Sequence, residues 1–548
     1  MSQQMLDRSI VQRDPCWGAA SDRSPLAACL AAGVSVLLAY LLLAAMDWRP
    51  AAGGGSTPEA PPMLIETDVS EALLDSARRE LYAYRMADAE RLLHQLERRP
   101  DGRPAAHYYL AMAALHRGLM SDDASHFELF EERSDALAGL LAERDPSAWR
   151  DLMEADRRLW HAAVHSRQGR YVRAAWAARS AYTRYERVTA TFPDMYDAYF
   201  GLGLIHLSIG SMPRSYRFVL DVLGYSGGIS RGLGELETAY QRGRVARYEA
   251  GMVIALTHVV LHLDGERAVR IAADLLGEMP GSPLAAHVFG FVQLGSARAA
   301  AAEEPLREAI RRSETEEYYY DRYLDFYLAE VLFRQDDFEA SERYYRRYLE
   351  RYDGPQLMAM TYLGLGKALE LQGRRREAVA AYEQVRSARS FDTDEAARRA
   401  AGKLLSTPLL GADSLLVLAT NAFDSGRTDR ALRLLEALHR DGYGLTADQR
   451  AEAAYRMGRI HAAAGQTDTA VEAFERAIDI RGDPLSRWAP WSAFFMGKLY
   501  QREGRLDEAR SAYEYALSFD GRYDYYQALE QSVRAALEVI DVLEGSGS

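Results

Sequence analysis

The chain of 548 residues has two cysteines, Cys16 and Cys29, and both precede residue 50. The long remainder therefore has no disulfide framework and no thiolate zinc site. Lysine is almost missing: Lys367, Lys403 and Lys498 are the three, and arginine supplies the other cations. Positive charge is short overall, since 66 basic side chains face 79 acidic ones and leave a formal net charge of −13. A nucleic-acid partner calls for the opposite sign. Period-two alternation is also missing beyond about Ser70, so no sheet is expected there.

One long apolar run is present. Leu26 to Met46 reads LAACLAAGVSVLLAYLLLAAM without a charge, a length that fits a helix spanning a bilayer. Arg8, Arg13 and Arg23 precede it, and Arg49 is the one cation close behind. The positive-inside rule then puts the N-terminus in the cytoplasm and the rest across the membrane. No A-x-A-like cleavage site follows the run, and Cys29 stands near its start, where a lipoprotein cysteine would end it. Residues 49–68, RPAAGGGSTPEAPPMLIETD, read as a Gly/Pro-rich linker. The expected layout is a cytoplasmic tail over 1–24, a transmembrane helix over 25–47, a linker over 48–69, a helical array over 70–542 and a disordered tail over 543–548.

Within that array apolar residues recur at spacings of three and four, and the sequence repeats itself every 34 to 39 residues. AAYRMGRIHAAAGQTDTAVEAFERAI from Ala453 aligns with AFFMGKLYQREGRLDEARSAYEYAL from Ala493. Gly458 meets Gly497, Gly465 meets Gly504, Ala470 meets Ala509, Phe474 meets Tyr513, and Ala477 meets Ala516. A third copy carries Gly366, Gly373, Ala378 and Tyr382 in the same slots. Weaker copies place Gly203, Ala329 and Ala419 at the first small slot and Ala174 and Ala268 at the second. This pattern resembles the tetratricopeptide repeat. The resemblance implies an all-α, right-handed superhelix of roughly nine to eleven helix pairs with a concave groove. Small residues let the paired helices approach, glycine relaxes the turn, and the aromatic fills the gap toward the next repeat.

Gly224-Tyr225-Ser226-Gly227-Gly228 is a literal G-x-S-x-G, the nucleophile elbow of serine hydrolases. That elbow joins a strand to a helix, whereas SYRFVLDVLG upstream has helical spacing, so Ser226 reads as a turn residue. The surrounding stretch, Asp197 to Leu256, looks like a segment of the inclusion-body-clearance tetratricopeptide families and their bacterial relatives. Leu223, Gly224, Tyr225, Ser226, Gly227, Gly232 and Leu233 occupy the matching slots, and the resemblance brings no catalytic residue with it. His161/His165 and His258/His262 stand one helical turn apart but lack the Glu of H-E-x-x-H, so they read as packing histidines. Gly364-Leu365-Gly366-Lys367 lacks the flanking residues of a phosphate-binding loop.

In the tetratricopeptide repeat, positions 2, 5, 9 and 12 of the first helix face the groove. Here these give Tyr455, Arg459, Trp491, Phe494, Lys498 and Gln501 as a candidate partner groove, with Lys367 at an equivalent slot. Aromatic residues beside Arg and Lys suit an extended peptide with an acidic or C-terminal group. A chaperone-type carboxylate clamp needs several asparagines, and Asn421 is the single one. No catalytic, cofactor or metal residue is expected. The sequence thus reads as a membrane-anchored tetratricopeptide scaffold that binds a protein or peptide, its soluble part periplasmic or otherwise outside the bacterial cytoplasm. The alternatives are the solenoid subunit of an envelope-polymer synthesis or export complex, and a hydrolase using Ser226.

Overall fold

The computed structural model describes residues 65, 67–121, 123–212, 227–315, 323–352, 354, 356–385, 392–440, 444–480, 482–483 and 485–545. The predicted span over 26–46, most of the linker and Ser226 lie outside them. Among the described residues no helix is long and apolar enough to cross a membrane.

The described residues form helices and no strand. The first half runs α1 (Asp68–Tyr82), α2 (Met86–Glu97), α3 (Arg103–Ser121), α4 (Ala124–Ala142), α5 (Ala148–Arg167), α6 (Tyr171–Thr191), α7 (Ala198–Gly210), α8 (Ile229–Arg242), α9 (Arg247–Val260), α10 (Gly265–Glu278), α11 (Pro283–Gly295) and α12 (Glu303–Thr315). The second half runs α13 (Tyr323–Arg334), α14 (Phe338–Arg351), α15 (Met358–Leu371), α16 (Arg375–Val385), α17 (Asp392–Ser406), α18 (Ala412–Asp424), α19 (Thr428–Arg440), α20 (Ala447–Ala463), α21 (Thr467–Asp479), α22 (Trp488–Arg502), α23 (Leu506–Leu517) and α24 (Tyr526–Gly545).

Local chemistry sets the boundaries. Thr446 and Gln449 form a reciprocal capping box at the start of α20. Ser282 caps α11, with Pro283 in its first turn. Gly465 and Gly504 end the first helix of their pairs with φ of +74° and +76°, a conformation that costs a residue with a Cβ about 1 kcal/mol or more. Each pair is then sealed by the aligned residues. A Cβ on Gly458 would lie 2.5 Å from the Phe474 ring, one on Gly497 2.6 Å from Tyr513, and one on Gly366 2.3 Å from Tyr382. The aromatic therefore covers the glycine of its own repeat, and only then reaches the next, as Phe474 does with Phe495 at 6.2 Å. The expected reach toward the next repeat is present at Phe474, alongside the cover over the glycine. The ring has to lie flat on bare backbone, because any side chain there would hold the helices apart.

The helical array closes on itself. Lys498 Nζ donates to the Leu263 carbonyl at 3.0 Å, across 235 residues of sequence. On α24, Gln531 donates to the Ser211 carbonyl, Arg534 to the Met212 carbonyl, and Glu538 accepts from Ser230 N–H at 3.1 Å. Near the other end, Ser282 donates to the Tyr82 carbonyl and the Tyr82 hydroxyl to Glu249. Arg399 pairs with Asp524, and Arg334 with Asp424. Beneath α24, α7 and α8 meet almost backbone to backbone: a Cβ on Gly232 would lie 2.5 Å from Leu207 N, and one on Gly203 2.8 Å from the Gly232 carbonyl oxygen. Gly203 and Gly232, which flank the G-x-S-x-G stretch, thus allow a close helix contact.

The last helix runs to Gly545, three residues past the predicted end of the array. Asp541 and Glu544 both pair with Arg510 of α23, which holds that final turn in place.

Candidate functional site: the inner cavity of the C-terminal repeats

The six groove residues fall on the first helices of two adjacent repeats, α20 and α22, as their spacing predicts, but they do not form one open face. Phe494 is fully buried among Trp491, Phe495 and Tyr513, with ring centroids 5.2 to 5.6 Å away. Trp491 is also buried, and the His262 ring stands edge-on to it at 5.2 Å. Gln501 accepts the Tyr513 hydroxyl at 2.7 Å and so supports the seal of its own repeat. Lys498 is held by the Leu263 carbonyl. Burial pushes its amine down to about 8, with Asp264 opposing the shift. The expectation that Phe494 and Lys498 line an accessible partner groove is corrected: the turn after α9 covers them. Its centre is His262, which adopts a left-handed φ of +50°.

Tyr455 is buried and Arg459 half-buried, and both line an opening. Tyr455 packs against Trp488 and Phe474, and its hydroxyl accepts from Arg459 at 3.1 Å. The Arg459 guanidinium lies 4.1 Å from the Phe495 ring centroid, a close cation–π contact. These two residues join α18, the His262 turn and Arg487 around a cavity of about 210 Å³. Phe423, Trp491 and Phe495 form its apolar wall, and Thr420, Asp424 and Arg456 complete the polar lining. Burial, reinforced by the Arg459 and Lys498 charges, pushes His262 down to about 3, so it faces the cavity as a neutral ring.

Sequence reasoning missed Arg487, His262 and Phe423. Arg487 precedes α22 and so has no groove position in the repeat template. His262 comes from helices more than 200 residues earlier, and only the winding of the array delivers it. The other sequence-flagged histidines have packing partners. His161 Nε2 is 2.9 Å from the Ser134 hydroxyl, and burial pushes its pKa down to about 4. His258 Nδ1 accepts from Asp264 N–H at 3.2 Å. Among the described residues no three His, Cys, Asp or Glu side chains gather as metal ligands would.

A run of antiparallel helix pairs, three of them closed by a bare glycine (Gly366, Gly458 and Gly497) under an aromatic ring, defines an α-helical repeat protein. The repeat type is the tetratricopeptide repeat. One model of it matches residues 323–390 and 449–520, and a second matches 74–138 and 161–215, so these four segments carry tetratricopeptide repeats. These matches name the repeat and no particular family within it. No curated protein matches the chain. Among solved structures it is similar to NprR in complex with its cognate peptide NprX, at 15% identity over 54% of this chain and 83% of that one; the TM-score of 0.23 carries no argument about shape or ligand.

Proposed function

We propose that the protein is a non-enzymatic scaffold that holds a protein or peptide partner on the inner surface of a right-handed tetratricopeptide superhelix. The observation that carries the reading is the run of tetratricopeptide repeats itself, because such arrays in general build interaction surfaces. The aromatic and arginine lining of the inner cavity supports it, because such side chains dominate interface anchors. The apolar run at Leu26–Met46 anchors the scaffold in the inner membrane of a bacterial envelope, with the arginines before it in the cytoplasm and the repeats outside.

The test is affinity capture with the detergent-solubilised full-length protein. A partner retained by the wild type and not by an unrelated repeat protein of equal charge is expected, and capture of nothing above that control would sink the scaffold reading. Topology is tested separately by fusing alkaline phosphatase after Ser548. Activity is expected, and an expressed but inactive fusion would place the repeats in the cytoplasm.

A further inference from the structure

Two outer surfaces of the array carry charge that the chain leaves unanswered, and their signs are opposite. On α6, Trp176 is 73% exposed, the highest value among the large apolar side chains of the described residues, and Val172, one turn before it, is 60% exposed. Thr183 and Arg187 continue that face at helical spacing, and Arg173 flanks it. Arg173 and Arg187 are exposed and make no ion pair among the described residues. Arg179 lies over the Tyr182 ring, and one acid, Glu186, shares the exposed side. Far along the chain, α21, α22 and α23 enclose an open groove. Ile478, Met496 and Tyr515 supply its apolar lining, Glu475 and Asp479 its charge, and no cation lines it. Tyr515 is half-exposed. Asp468 and Glu472 extend the acids along α21 in an exposed row, at spacings of four, three and four that keep them on one face. None of these carboxylates makes an ion pair among the described residues. Arg476 stands two positions before Ile478 and so nearly opposite it around the helix. Arg510 of α23 is already held by Asp541 and Glu544.

Each surface offers what the other lacks. An aromatic anchor between cations suits an apolar groove bordered by acids, where burial of the ring gives affinity and the charges fix the register. We propose that α6 of one copy docks in the α21–α23 groove of a second copy, with Trp176 against Met496 and Tyr515 and with Arg173 and Arg187 facing the acidic row. The contact is heterologous, since it joins two different surfaces. A basic face bearing a tryptophan also suits an anionic bilayer, but the neighbouring charges favour the groove. α6 lies beside α4, where Arg170 pairs with Glu131 at 3.4 Å, and Glu128, Glu132 and Asp135 of α4 are exposed. A flat anionic surface would meet those acids together with the arginines, whereas a groove takes the α6 strip alone. The proposal goes beyond the scaffold reading and stands whichever partner the scaffold holds.

Sedimentation velocity of the detergent-solubilised full-length chain tests it. The wild type is expected to self-associate as its concentration rises, and less so in about 0.5 M salt, which screens surface charge. Arg173→Glu/Arg187→Glu and Glu475→Arg/Asp479→Arg should each weaken association about tenfold or more, and Trp176→Ala should do the same with every charge intact. Arg311→Glu/Arg343→Glu makes the same change in net charge on other helices, where the two arginines pair with Glu308 and Glu339, and should leave association within about twofold. The decisive arm mixes the two interface reversals in equal amounts. The unaltered α6 of one variant then meets the unaltered groove of the other, and the two altered surfaces attract with their signs exchanged. Association should return, which also shows that both variants are folded. A wild type that stays single at every concentration, association indifferent to the reversals, equal loss in the charge-matched control, or no recovery on mixing overturns the proposal. Loss from the α6 reversals with none from the groove reversals overturns it too, and makes an anionic bilayer the occupant of α6.

Discussion

Replacing Gly497 by alanine sets two known effects against each other. Alanine is better than glycine inside a helix by about 0.8–1 kcal/mol, and Gly497 lies well within α22. Against this, the new Cβ would come within 2.6 Å of the Tyr513 ring. That ring is fully buried and its hydroxyl is tied to Gln501, so it has little freedom to retreat. Overpacking of a closed core costs about 1–3 kcal/mol, and a contact this short against a rigid ring belongs in the upper part of that range. The net expectation is a loss of about 1–2 kcal/mol. Gly402 in α17 and Gly139 in α4 provide the control, because a Cβ there meets nothing within 4 Å. Alanine at either site should stabilise its helix by up to about 1 kcal/mol. A global melt is a poor reporter in a long repeat array, so the assay is native-state hydrogen exchange read on the amides of the mutated pair. Gly497→Ala should speed exchange in α22 and α23, while Gly402→Ala should slow it in α17. Slower exchange in the Gly497 variant would refute the view that the glycine is required by the ring above it.

Three further outcomes follow. Phe494→Ala removes a fully buried ring and should cost about 3–5 kcal/mol of local stability; exchange protection of α22 left unchanged would restore Phe494 to an open groove. Burial raises the Asp156 carboxyl to about 7 although the Tyr185 and Tyr108 hydroxyls bond it. The folded state then holds a proton that the unfolded chain has released, so the contribution is complete below about pH 4 and is lost as pH rises through about 7. Asp156→Asn should flatten urea stability between pH 4 and 8 relative to wild type, and an unchanged slope would contradict the burial argument. Ser226 should not react with a fluorophosphonate probe, and labelling lost in Ser226→Ala would establish a nucleophile.

The helix pairs were legible because each repeats the same close approach within one stretch of sequence. Gly458 and Phe474, or Gly497 and Tyr513, are sixteen residues apart and recur in register. The candidate site was only half legible. Groove positions taken from one repeat assume an open curve, and here the turn carrying His262 covers Trp491, Phe494 and Lys498 from hundreds of residues away. Periodicity holds no record of such contacts. One signal was available. Every residue of α7 except Tyr199 is buried, and its sequence AYFGLGLIHLSIG has no polar face. A helix apolar all round must be covered on every side. An ordinary repeat helix keeps one face in water, so that segment announced a further layer, which α24 supplies through Gln531 and Arg534.

That cover sets an order of events during synthesis. The carbonyls of Ser211 and Met212 find their donors 320 and 322 residues later, and Ser230 finds its acceptor 308 residues later. A translating ribosome adds about 5–20 residues per second, so the apolar α7–α8 junction stays without α24 for roughly 15–60 seconds after it emerges. A simple linear array can finish each repeat as it leaves the ribosome. This one keeps its middle incomplete until α24 has emerged, which makes that twenty-residue helix a requirement for completing a region encoded near the centre of the chain.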